Sequence, residues 1–136
     1  MDIRDINRRV IEQFRAGGEI EGMHRDRIVL LTTTGARTGQ RRTTPVMFHR
    51  DGGRLLVVAS NAGAPKHPDW YRNLVADHRV TVEATDETYP ALARILEGGD
   101  RAGAWSMLKQ SYRFFADHEG SAGRVIPVVA LTRTSG

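Results

Sequence analysis

The chain has 136 residues, 40% hydrophobic and 26% charged, which is one ordinary globular domain with a single core and no apolar run approaching the roughly 18–20 residues of a membrane span. It contains no cysteine, so disulfides, thiolate nucleophiles and cysteine-held zinc or iron–sulfur centres are excluded. Lys and Arg exceed Asp and Glu by 20 to 16, and this net +4 by its sign alone fits nucleic acid, an acidic membrane face or an anionic small ligand equally well.

The N-terminal MDIRDINRRV lacks the apolar stretch of a signal peptide, so a cytoplasmic protein is expected. Asp2 is placed to cap a first helix within residues 1–18, in which Ile3, Ile6, Val10 and Phe14 recur at helical spacing beside Ile11. Gly17-Gly18 stops it. A membrane-surface helix carries a stronger basic excess than Arg4, Arg8, Arg9 and Arg15 against Asp2, Asp5 and Glu12. Docking on the chain's own barrel is therefore expected, with at most weak peripheral membrane contact.

Arg27–Thr34 is β-branched and apolar and reads as a buried strand. GARTGQ turns the chain, Arg42–Arg50 returns as a second strand, and Asp51-Gly52-Gly53 signals a hairpin into a third, Arg54–Ser60. Asn61–Pro68 is a loop, and Asp69–Ala76 a short helix. Val80–Ala84 and Thr88–Leu96 are strands about a TDE turn, with Pro90 marking an edge or a bulge. Asp100 is expected to cap a helix over Arg101–Tyr112, and Val125–Thr132 is the last strand. The order predicts a mainly β, α+β domain: a barrel of about six antiparallel strands over residues 27–132, with helices packed around it, in one unit spanning 1–136.

His24, His49, His67, His78 and His118 show no metal-binding spacing. Gly35 and Gly39 belong to neither a Walker motif nor a dinucleotide fingerprint, because the spacing is short and a strand follows. What remains is a glycine turn carrying Arg37, Arg41 and Arg42 that runs into Thr43-Thr44-Pro45. Such a turn is either an anion cradle or a plain hairpin with a basic tip. Eighteen of the 20 basic residues are arginines, whose planar fork suits phosphate and carboxylate. In PKHPDWYRN, Trp70 and Tyr71 must diverge on a helix, so one can enter the core while the other lines a cleft beside Lys66, Arg72 and Asn73. In SYRFFADH, Tyr112, Phe115 and His118 recur at roughly one face of a helix end, a pattern that serves core or site alike.

The pairing of TTTGARTGQRR with ASNAGAPKHPDWYRNL, continued by ARILEGGDRAGAW and RVIPVVAL, closely resembles the deazaflavin-dependent nitroreductase family from about Arg27 to Leu131. The resemblance implies a split β-barrel holding coenzyme F420, whose phosphodiester and polyglutamate tail an arginine-rich groove would answer. It implies cofactor contacts from Arg37, Thr38, Arg42, Thr43, Thr44, Pro45, Val46 and Met47, and from Val58, Ala59, Ser60 and Asn61 on the third strand. The short helix would contribute Asp69, Trp70, Tyr71, Arg72 and Asn73. Tyr112 and Phe115 would cover the ring with His118 nearby, and Tyr112, His118 or water would supply a proton.

The implied reaction is hydride transfer to a small electron-poor acceptor: a quinone, an enone or a nitroaromatic. Two features depart from the family pattern. Ala36 stands where a first basic residue is usual, leaving Arg37 alone, and the last helix carries Phe115 and His118 where nitro-reducing members carry tyrosines. The competing readings are an FMN- or haem-using split barrel, and a non-catalytic carrier of F420 or a fatty acid. A nucleic-acid module lacks both a recognition helix and an aromatic RNA-binding signature, so no nucleic-acid partner is expected.

Overall fold

The computed structural model describes residues 3–20 and 24–134. Helix α1 (Ile3–Ala16) ends where Gly17 adopts φ 81° and donates its N–H to the Phe14 carbonyl. The expected cap Asp2 lies outside the described residues. Val10 and Phe14 bury one face of α1 with Ile20 against Ile28 and Leu30. The helix thus docks on the chain's own sheet, and Arg15 ties it there through two bonds to Glu83, at 3.1 and 2.8 Å. No helix among the described residues is long and apolar enough to cross a membrane.

Among the described residues seven antiparallel strands form one sheet: β1 (Ile28–Thr34), β2 (Arg41–Met47), β3 (His49–Asp51), β4 (Arg54–Val58), β5 (Arg79–Glu83), β6 (Thr88–Ile95) and β7 (Val128–Arg133). Their spatial order is β2-β1-β5-β6-β7-β4-β3. Only Phe48 separates β2 from β3, yet these strands occupy opposite ends of that order. A sheet can satisfy both facts only by curling until its ends meet, and β2 indeed touches β4. The expected single strand Arg42–Arg50 is therefore two, and this break supplies the seventh strand. The Phe48 N–H carries the β1–β2 register one residue further and donates to the Arg27 carbonyl at 3.2 Å.

Alternation along the strands sorts side chains into two layers. Val29, Leu31, Leu55, Val57, Val129 and Leu131 point into the barrel, where Trp70 and Leu74 of helix α2 (Asp69–Ala76) join them. Leu56, Val128 and Ala130 point outward, under helices α3 (Gly98–Ser111) and α4 (Phe114–Ala122).

Three expectations need correction. Asp100 does not cap α3, which starts at Gly98 after Glu97; Asp100 lies in its first turn and binds Arg54 at 3.3 Å and Arg94 at 3.0 Å. Those two arginines hold its carboxyl below the ordinary range. Pro90 marks neither an edge nor a bulge, because β6 lies inside the sheet and pairs in continuous register with β5, Thr81 opposite Pro90. The proline is tolerated there because it occupies the last rung toward β7, where its carbonyl accepts the Thr134 N–H and only one bond is missing. The final strand begins at Val128, leaving Val125 exposed.

Candidate functional site

The glycine turn is held from inside and from α2. Gly35 donates to the Gln40 carbonyl at 2.7 Å and Gly39 to the Gly35 carbonyl at 2.9 Å. A Cβ on Gly35 would lie 2.9 Å from Thr38 Oγ1 and 3.1 Å from the Gln40 carbonyl, so only glycine closes this loop. Asn73, buried on α2, accepts the Ala36 N–H at 3.0 Å and donates to Thr33 Oγ1 at 3.1 Å. Its amide is occupied in clamping the turn against the barrel. Thr38 likewise accepts the Gln40 N–H at 3.2 Å.

Around this clamp, Arg41 is occupied by Thr34 and Thr81, at 2.8 and 2.9 Å. Arg37 and Arg42 are exposed, as are Lys66 and Arg72 on the flanking loop and α2, and among the described residues none of these four side chains has a hydrogen-bond or ion-pair partner. Arg42 stands opposite Thr33 in the β1–β2 register, and so beside Asn73.

The same register divides Thr43–Met47 between two faces. Thr44 and Val46 oppose Leu31 and Val29 and face the barrel interior; Thr43, Pro45 and Met47 oppose Thr32, Leu30 and Ile28 on the outside. Thr43 Oγ1 lies 2.8 Å from Thr32 Oγ1, while Met47 is exposed.

Beyond β4 the backbone is wired by a residue that sequence reasoning passed over. The Arg124 guanidinium donates to the carbonyls of Ala59 (3.2 Å), Ser60 (3.1 Å), Ala64 (3.2 Å) and Lys66 (3.0 Å), and to His67 Nδ1 (3.1 Å). Burial first, then Arg124 and Arg72, push the His67 pKa down. Asn61 and Ala62 adopt φ 50° and 55°, costly for residues with a Cβ, and Asn61 Nδ2 secures the bend on the Lys66 carbonyl at 3.1 Å. Helix α4 packs on this loop: Ser121 Oγ donates to the Gly63 carbonyl at 3.0 Å, and His118 Nδ1 sits 3.2 Å from Ser60 Oγ. Val58 is half-buried under the outer helices, whereas Ala59 turns into the barrel core. On α2, Asp69 is exposed, Trp70 is core, and Tyr71 stacks on His67 with centroids 4.7 Å apart, the divergence that their adjacency requires.

Tyr112, Phe115 and His118 do not share one helical stripe. Helix α3 stops at Ser111, Tyr112 takes an extended conformation (φ −133°, ψ 90°), and α4 starts afresh at Phe114. Phe115 is 5% exposed, packed on Trp105 and Tyr112 at 5.8 Å each. Its neighbour Phe114 is the exposed ring, at 39%, 5.4 Å from His118 and 6.1 Å from Tyr112. The Tyr112 hydroxyl lies 3.0 Å from His49 Nδ1. His49 opposes the outward-facing Leu56, and His118 reaches Ser60 just past β4. Tyr112, Phe114 and His118 therefore border the outer seam where Met47 and Val58 end their strands.

Comparison with known proteins agrees with this fold. A family model described as F420H(2)-dependent quinone reductase matches residues 5–133. An F420H(2)-dependent quinone reductase of Mycobacterium tuberculosis is 36% identical over 108 residues, covering 77% of this chain and 72% of that one. The solved structure of an F420-H2 dependent reductase, FDR-A, superposes with TM-score 0.70 at 39% identity, over 81% of this chain and 99% of that one. The heme storage protein HutZ of Vibrio cholerae shares the fold alone, with TM-score 0.58 at 16% identity over 93% of this chain and 89% of its own.

Proposed function

The chain belongs to the F420H(2)-dependent quinone reductase family, and from that premise we propose that it binds reduced coenzyme F420 along the arginine-bearing turn and reduces a quinone. The observation that carries this is a set of cations with no counter-ion among the described residues: Arg37 in the clamped turn, Arg42 opposite Thr33, Arg72 next to Asn73, and Lys66 on the loop that precedes their helix. Elsewhere on the surface, Arg15, Arg54, Arg79 and Arg94 each have a carboxylate partner, whereas, among the described residues, Arg27, Arg50 and Arg113 stand singly on other segments. A phosphodiester with a glutamate tail supplies the missing negative charge, and pairing on an exposed groove avoids the desolvation cost that a buried ion pair would bear.

Arg37 and Arg42 hold the phosphodiester, with Thr38 and Thr43 beside them; Lys66, Asp69 and Arg72 line the path of the tail. Pro45, Met47 and Val58–Asn61 flank the deazaflavin, while Thr44, Val46, Trp70 and Phe115 set the walls from within the cores. Tyr71 extends the cleft side of α2, and Asn73 keeps the turn in place. Once bound, reduced F420 supplies a hydride. Phe114 offers an exposed ring against which a planar acceptor packs, and Tyr112 or His118 gives the proton that the reduced acceptor needs.

Fluorescence titration tests the cofactor: F420 is expected to bind more tightly than FMN, and equal or tighter FMN binding would refute the reading. Reoxidation of reduced F420 by quinones tests the enzyme against a carrier, which would bind without turnover. Arg37→Ala is expected to weaken F420 binding by roughly 10–100-fold, the worth of one charge-assisted contact. The melting temperature should stay nearly unchanged, because Arg37 touches nothing that holds the core. A large loss of stability at unchanged affinity would make Arg37 a structural residue.

A further inference from the structure

We infer that His49 positions the proton donor, a deepening that rests on the reading of Tyr112 as that donor. His49 is half-buried on β3, at the end of the sheet, with its ring on the face that α3 and α4 cover. A half-buried imidazole needs a polar partner, and the only one its ring has among the described residues is the Tyr112 hydroxyl, 3.0 Å from Nδ1. The two rings stand nearly perpendicular, 84° with centroids 5.8 Å apart, while Phe114 and Phe115 flank the phenol at 6.1 and 5.8 Å. The hydroxyl is thus located by one polar contact, and its ring by three aromatic neighbours.

The direction of that contact decides its use. A phenol has one hydrogen. If Nδ1 accepts it, the hydroxyl points away from any acceptor in the groove. If Nδ1 carries the hydrogen, the imidazole donates to the phenol oxygen and the phenol's own hydrogen is free to face the substrate. His49 holds the second arrangement. After a quinone has taken its hydride, its oxygen carries negative charge. The Tyr112 O–H bond breaks, a new O–H forms on the hydroquinone, and the phenolate left behind accepts the Nδ1–H of His49 until water restores its proton. One hydride and one proton reach the quinone, and His49 keeps its own hydrogen throughout.

The test combines the ligand-free protein with turnover of the F420-loaded one. Nitrogen-15 NMR of the histidine rings is expected to show hydrogen on Nδ1 of His49, with that signal perturbed in Tyr112→Phe; an unprotonated Nδ1 accepting from the phenol overturns the inference. In turnover, Tyr112→Phe should lower kcat with quinones by about 10²-fold or more, as loss of a general acid does. His49→Leu should lower kcat by about tenfold, with F420 affinity and quinone KM within about twofold, a partial loss because the phenol remains. His49→Asn, whose amide N–H stands near the place of Nδ1, should recover most of that loss. If Tyr112→Phe is impaired while His49→Leu matches the unaltered protein, His49 is only a packing residue. Unchanged turnover in Tyr112→Phe defeats the donor reading itself, and the role of His49 with it.

Discussion

Arg124→Met is expected to lower the melting temperature by roughly 10 °C and to abolish tight F420 binding. One guanidinium satisfies four carbonyls, of Ala59, Ser60, Ala64 and Lys66, together with His67 Nδ1. Methionine fills similar volume but donates nothing, so buried acceptors beside Ala59 and Ser60 lose their partner. Hydrogen bonds to a charged group are worth about 1.5–3 kcal/mol each, and water recovers part of the sum; a net loss of about 3 kcal/mol follows. For a domain of this length that corresponds to the stated shift. Arg124→Lys keeps the charge but not the fork, and should fall between the two. Thermal melts and F420 titration of the three proteins check this. Arg124→Met melting with the unaltered protein would show that water can replace the guanidinium.

The same hub carries a pH dependence. Arg124 donates to His67 Nδ1, so that nitrogen must be free of hydrogen and the imidazole neutral. Burial, Arg124 and Arg72 lower the folded-state pKa of His67 from an unfolded value of about 6.5. The stabilisation is therefore complete above about pH 6.5 and is lost as pH falls through the lower folded value. Replacing Arg124 by Met removes one of the two positive neighbours, so the acid-side slope of stability should become shallower. An unchanged slope would assign it to burial and Arg72.

Gly63→Ala is expected to cost about 2–4 kcal/mol, through two additive causes. Gly63 has φ 81°, a left-handed conformation that a Cβ strains. That Cβ would also fall inside van der Waals contact of Ser121 Oγ and lie 3.2 Å from His118 Cα, both on α4. The helix would have to retreat from the loop that brings Ser60 to His118. In a Ser121→Ala background the oxygen is gone, so Gly63→Ala should cost less by about 1 kcal/mol or more, measured as a double-mutant cycle. Equal costs in both backgrounds would attribute the effect to backbone strain and the His118 contact, with none left for Ser121.

Local chemistry was enough to write much of this molecule in advance. The β-branched runs are strands, Gly17-Gly18 and Gly52-Gly53 turn the chain, α2 begins and ends as its pattern implied, and the arginine-studded turn stands where its motif put it. Each of these features follows from interactions within a few residues: alternation, capping, a positive φ, or a helix period.

Tertiary structure decided the rest. RTTPVMFHR contains no glycine at Phe48 and so reads as one strand; it becomes two because its halves pair with β1 and β4, at opposite ends of a closing sheet. Phe115 is buried and Phe114 exposed because Tyr112 leaves the helix and α4 restarts in a new phase, which no count of residues along SYRFFADH could register. Arg124 gives no local sign of its work, since the carbonyls it satisfies lie 58 to 65 positions away in the chain. His49 likewise meets Tyr112 across 63 positions. Propensity and periodicity are short-range properties of the backbone. The partner of a polar side chain is set by which distant segments the closing barrel brings within about 3 Å.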